Sequence, residues 1–165
     1  MTGTARSRTV AWEDPHAMRA RNRDRSGLAM AEATIGGGEP RCPVWELLDF
    51  GIVEAREGFA AFTCEPAEFH YGYLGQVANT LAFVLLDSAS GRAVNSTLPA
   101  GVRAITVKLD IDTIAPITVE TGRIRCEARV RHRGRQIATA EGALVAETGG
   151  ALHARGRAVF AITGY

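Results

Sequence analysis

Residues 75–91 read GQVANTLAFVLLDSASG, and between Ala78 and Ala89 only Asn79, Thr80, Asp87 and Ser88 are polar. A helix that is apolar on almost every side belongs inside a protein, so this stretch predicts a central helix around which the chain is folded. Thr80, Phe83, Asp87 and Ser90 recur at three-four spacing. They form a narrow stripe able to line a cleft, while Leu81, Val84, Leu85 and Leu86 pack elsewhere. A carboxylate in water-poor surroundings is a better base than one in water, which makes Asp87 the first candidate for chemistry. The plainer alternative places it near the helix end, facing solvent beside Ser88 and Arg92.

Moving outward, two strands are expected over 50–56 and 58–64, with Glu57 and Gly58 as the turn between them. The turn Leu98-Pro99-Ala100-Gly101 ends the helical region, and everything beyond it reads as strand. Ile105, Val107, Leu109 and Ile111 alternate with Thr106, Lys108, Asp110 and Asp112, which predicts a half-buried strand with the first set inward. From residue 123, Ile124, Cys126, Ala128 and Val130 alternate with arginines and Glu127. Gly134 marks a hairpin into a strand over 136–146, and a last strand spans about 151–162. Two strands, a long helix and four more strands are most economically buried as an α+β fold, an antiparallel sheet wrapping one helix.

Residues 1–40 differ in texture: six arginines against five acids, and Gly36-Gly37-Gly38 ahead of Pro40. We assign them to an N-terminal helical extension, with residues 41–165 as the domain proper. Asp14-Pro15 predicts the start of one short helix, 26–34 a second, and Pro43 with Val44, Trp45, Leu47 and Leu48 a third. The near-balance of charge favours solvated surface helices over a nucleic-acid arm. With 165 residues, 46% hydrophobic content and net charge +1, one globular domain is expected, with no global pull toward nucleic acid or anionic membrane. Cys42, Cys64 and Cys126 form no C-x-x-C pair and predict free thiols in a reducing compartment. The absence of an apolar leader or spanning run points to a cytoplasmic protein. Histidines 16, 70, 132 and 153 lack metal-site spacing, so no metal is expected.

The element order, with LLDSASG on the helix and STLPAG after it, resembles the hotdog-fold acyl-CoA thioesterases of the phenylacetate, PaaI-like type. TVAWEDP at 9–15, PAEFHY at 66–71, ITVKLDIDTIAP at 105–116 and VRHRGRQIATAEG at 130–142 extend that resemblance over the chain. It implies hydrolysis of an acyl- or aryl-CoA to the free acid and CoA. Asp87 would be base or nucleophile and coenzyme A part of the substrate, with no other cofactor. In that family the helix follows an N-x-x-G-x-x-H-G-G pattern. Here the Asn falls on Gly72, the first Gly is kept as Gly75, and H-G-G falls on Ala78, Asn79 and Thr80, so the motif is eroded. The alternative reading is a non-catalytic acyl-CoA or small-acid binder that kept the pocket.

A helix N-terminus offers unpaired N–H donors whatever its side chains, so Asn79 and Thr80 join Asp87 as candidate catalytic positions. Asn79 could instead cap the helix and occupy a donor itself. Gly72, Tyr73, Gln76, Phe83 and Gly91 are the candidate substrate-binding residues. For His70, Tyr71 and Tyr73 we favour the alternative of ordinary packing and hydrogen bonding in the loop. Arg133 and Arg135, in the basic hairpin, are the candidate CoA-phosphate ligands, against a solvated sheet face. Asn79 and Asp87 are eight residues apart, about 12 Å along a helix, too far for one thioester to touch both. A shared site therefore needs two chains meeting across a twofold axis, a homodimer or, by the resemblance, a homotetramer.

Overall fold

The computed structural model describes residues 4–164. Three short helices come first, α1 (Pro15–Arg21), α2 (Gly27–Ile35) and α3 (Pro43–Leu47). The Asp14 carboxylate accepts from the His16 N–H at 2.9 Å and the Ser26 hydroxyl from the Ala29 N–H at 3.2 Å, so each of the first two starts where a capping side chain satisfies an orphan donor. The hairpin β1 (Phe50–Arg56) and β2 (Phe59–Cys64) follows, then the central helix α4 (Thr80–Asn95), then β3 (Val102–Thr113), β4 (Ile124–Arg133), β5 (Ile137–Ala146) and β6 (Leu152–Gly164). The strands form one sheet in the order β1-β2-β4-β5-β6-β3, antiparallel throughout. No helix among the described residues is long and apolar enough to cross a membrane.

The sheet closes around α4, which buries Leu81, Ala82, Leu85, Leu86, Ala89, Ser90, Ala93 and Val94. Trp45, Phe50 and Phe62 pack against one another at the end of the core nearest α3, with Trp45 edge-on to Phe62 at 4.8 Å. On the facing sheet, Gly142 of β5 pairs in register with Gly156 of β6. Leu86 fills the notch they leave: a Cβ built at Gly142 would lie 3.0 Å from its Cδ2, and one at Gly156 3.4 Å from its Cδ1. Burial of such side chains contributes about 1.5–3 kcal/mol each.

The central helix begins five residues later than the sequence pattern predicts and runs four further. Residues 71–77 instead fold back on themselves, with Tyr71 bridging Val77 and the Gly72 N–H donating to Gln76 O at 2.8 Å. The helix stripe is also corrected at one end, since Ser90 is buried in the core rather than turned to a cleft.

The larger correction is in β3. Its pairing with β6 shifts register between Thr106 and Lys108, a bulge that reverses which residues face inward. Ile105 and Val107, expected in the core, are each 59% exposed; Thr106, expected outside, points inward, and only Leu109 and Ile111 keep their expected side.

Among residues 1–40, α1 keeps to the surface as expected and α2 does not. Gly27 is buried where a Cβ would stand 1.9 Å from Asn95 O, so α2 docks on the end of α4 through a bare backbone. Glu39, only 6% exposed, accepts from Arg21 at 3.0 Å and Arg25 at 2.6 Å. The Arg21 hydrogen bond, the largest of several causes, holds its carboxyl pKa below the usual range. Arg103 of β3 adds hydrogen bonds to Asn22 O and Arg25 O, at 3.0 and 2.9 Å, tying residues 22–25 to the sheet.

Candidate functional site

The bulge in β3 places a hydroxyl on the helix carboxylate. Thr106 Oγ1 donates to Asp87 Oδ1 at 2.8 Å, which fixes one carboxylate oxygen and leaves the other open. Asp87 is half-buried and looks into a cleft of about 470 Å³. Met30 of α2, Val44 and Trp45 of α3, and Ala104 and Phe160 of the sheet supply its apolar walls; Ser88, Gly91, Arg92, Asn95 and Arg103 complete it. A larger concavity, about 660 Å³, lies on the outer sheet face. Its groups are largely paired with one another, Arg131 and Arg157 with Glu141 at 2.9 and 3.2 Å and Arg155 with Asp112 at 3.0 Å. We read that face as a solvated ion-pair network and the Asp87 cleft as the site.

Of the residues singled out in the sequence, the cleft unites Asp87 and Gly91. Asn79 and Thr80 stand at the far end of α4, exposed, as does Phe83, which is 44% exposed. The Asn79 side chain makes no capping bond, so the alternative in which it blocks a donor does not apply. The N–H groups of Asn79 and Thr80 reach no acceptor among the described residues. Beside them lies the 71–77 loop, carrying exposed Gly72, half-buried Gln76, and Tyr73 and Leu74 standing free at its tip. Arg133 and Arg135 sit exposed on either side of the β4–β5 turn, away from Asp87 in the same chain. Unlike Arg129 and Arg131, they have no carboxylate partner among the described residues. One chain thus holds two separated halves: a carboxylate cleft, and an open helix N-terminus with its loop.

His70 resolves as structural. Its Nδ1 accepts from the Ala67 N–H at 3.0 Å, which leaves the proton on Nε2 to donate to Leu48 O at 2.8 Å. Burial is the main reason its pKa is lowered. An unfolded chain takes up a proton near pH ~6.5 that this ring refuses. The stabilisation is therefore complete above that pH and declines as pH falls toward the lowered folded value. Urea midpoints should drop from pH ~7.5 to ~5.5 in the natural protein and stay flatter in His70→Gln. The cysteines are inert as well; burial pushes the Cys64 thiol up to about 12.

Thr106, Trp45, Met30 and Arg92 were not candidates on sequence. Thr106 was hidden by a bulge that leaves no compositional trace, and Arg92 by resembling an ordinary basic residue in a last helical turn.

The thioesterase superfamily model matches residues 74–153. A search of curated proteins found no match. Among solved structures, a conserved protein from Pseudomonas aeruginosa is 26% identical, with 74% of this chain and 95% of that one covered at a TM-score of 0.69. The Escherichia coli PaaI protein from the phenylacetic acid degradation operon is 23% identical over 84% of this chain and 97% of that one, TM-score 0.72. A Streptococcus mutans protein bound to acetyl-CoA is 22% identical over 70% and 89%, TM-score 0.63. With its six antiparallel strands wrapped on α4, the chain has the hotdog fold, and over residues 74–153, from the loop before that helix into β6, it is similar to the thioesterase superfamily.

Proposed function

We propose that the protein hydrolyses an acyl-CoA thioester to the free acid and CoA, with Asp87 as general base or nucleophile. The observation that carries this reading is the Asp87 carboxylate, oriented by Thr106 and facing an apolar cleft large enough for an acyl group. Attack on the thioester carbonyl, by water that Asp87 deprotonates or by Asp87 itself, puts negative charge on the carbonyl oxygen. Open N–H groups at a helix N-terminus are suited to that charge. Those of Asn79 and Thr80 lie too far along the same helix, so a second copy supplies them, and the active form is a homodimer or a dimer of dimers with two equivalent sites per pair. The 71–77 loop travels with that N-terminus and brings Gly72, Tyr73 and Gln76 to the partner's cleft.

The β3 edge is where the second copy joins. It is the last strand in the sheet order, twelve residues long, with Ile105 and Val107 exposed; a long edge with exposed apolar residues is a template for pairing. Thr106 ties it to Asp87, so pairing two such edges brings two α4 helices side by side. Release of free thiol from a panel of acyl-CoAs tests the reading, and background release from every member would leave the non-catalytic binder standing.

Arg133 and Arg135 are the proposed ligands for the CoA phosphates. Replacing both by Ala should weaken CoA binding by calorimetry, and in the unsubstituted protein affinity should fall as salt is added. Equal CoA affinity in the double variant would return the hairpin to a solvated sheet face.

A further inference from the structure

The cleft holds a cation that this reaction scheme does not use. Arg92 follows Asp87 by five residues on α4, about 7.5 Å along the axis, and both line the same cavity. Its guanidinium lies over the Trp45 ring, 5.4 Å from the centroid. The contact holds the guanidinium near the ring, and no hydrogen bond among the described residues takes up its donors, which suits a bidentate partner. Three other partly buried arginines are matched with acids: Arg25 with Glu39 at 2.6 Å, Arg41 with Glu46 at 2.5 Å, and Arg125 with Glu54 at 2.7 Å and Glu127 at 2.8 Å. No carboxylate among the described residues pairs with Arg92, and burial lowers its pKa. A guanidinium removed from water without a counter-charge is a cost to the fold.

Among the other polar groups of the cleft, Asn95 and one Asp87 oxygen are engaged. Asn95 Nδ2 donates to Gly91 O at 2.8 Å and its Oδ1 accepts from the Ala104 N–H at 3.1 Å, while Asp87 is held by Thr106. Arg103 is turned to main-chain carbonyls and adds positive potential to one wall. The remaining walls are Met30, Val44, Trp45, Ala104 and Phe160, which would suit a short carbon chain.

We infer that the cleft takes an acyl thioester whose acyl chain carries its own carboxylate, paired by Arg92: a short dicarboxylic acyl-CoA rather than a simple alkanoyl-CoA. This rests on the reading of Asp87 as the group that faces the thioester. The phosphates of CoA are the other anions such a ligand carries, but the long pantetheine arm holds them far from the thioester, whereas Arg92 is less than two helical turns from Asp87.

The test uses the Asp87→Asn protein, in which the thioester stays intact, titrated by calorimetry with glutaryl-CoA, pentanoyl-CoA and CoA. Glutaryl-CoA should bind about tenfold or more tightly than pentanoyl-CoA, the scale of a charge-assisted hydrogen-bonded pair. Adding Arg92→Met should bring that ratio to about one, and Arg92→Lys, which keeps the charge in a comparable volume, should retain part of it. Equal affinities with Arg92 present, or a ratio that survives Arg92→Met, would overturn the inference. So would a parallel loss for all three ligands, which would assign Arg92 to the phosphates. Because the readout is binding, a natural protein that releases no thiol would sink the hydrolase reading while leaving this ratio to be judged by itself.

Discussion

Asp87→Asn is expected to lower thioester hydrolysis by about a hundredfold or more, the scale of losing a general base, while acyl-CoA affinity changes little. The substitution keeps the shape of the side chain and an oxygen for Thr106 Oγ1, which now stands 2.8 Å from Oδ1. It removes only the charge and basicity. Steady-state thiol release beside a calorimetric titration separates the two quantities. Unchanged hydrolysis in Asp87→Asn would show that the carboxylate does no chemistry and sink the mechanism. The eroded motif offers a second arm. At Gly72 the nearest atom to a new Cβ would be Ala78 Cβ at 3.6 Å, so Gly72→Asn fits, and together with Ala78→His, Asn79→Gly and Thr80→Gly it should raise hydrolysis if the lost groups limit the rate.

A comparably large effect is expected from breaking the β3 edge. Lysine on an edge strand opposes pairing with a second chain, so Ile105→Lys with Val107→Lys should convert the proposed dimer to a monomer in sedimentation at micromolar concentration. Both positions are solvent-exposed in the single chain, and the monomer should keep its fold by circular dichroism. Hydrolysis should nevertheless fall to background, because Asp87 loses the partner's helix N-terminus. An active monomer would disprove the two-chain site. A double variant that stays dimeric would place the interface elsewhere.

The element order was legible in the sequence because each element carried its own physical mark. The caps at Asp14 and Ser26 located two helices, the Glu57-Gly58 turn located a hairpin, and strict alternation from residue 124 located β4 almost to the residue. Asp87 stood out for the same reason, as a lone acid in an apolar helix. What sequence could not reveal was the relation between elements. Val107 continues the alternation of its strand perfectly, yet it is the extra residue of a bulge, and every inward or outward assignment before it is reversed. The orienting group of the site, Thr106, was therefore placed on the wrong face. Residues 75–78 failed differently: apolar Val77 and Ala78 look helical, but their N–H groups are taken by Ile117 O and His70 O, tertiary partners that no local pattern encodes. The cleft walls share this property, since Met30, Trp45 and Phe160 meet only after the sheet has closed.

The glycine pair under Leu86 gives the molecule a gauge. Helix and sheet approach closely where Gly142 and Gly156 carry no side chains, and the residue after Leu86 on the helix is Asp87. A methyl added at Gly142 would press on the backbone oxygen of Glu127 as well as on Leu86, both at 3.0 Å; at Gly156 it would meet Asp110 O at 3.1 Å. The sheet must give where the strand oxygens are met, and the helix where Leu86 is met, one residue from Asp87. Two silent positions thus share a contact with the residue beside the carboxylate, and a substitution at either is expected to be felt at the site although neither touches Asp87. Residues with no chemistry of their own become the adjustment screw of the site.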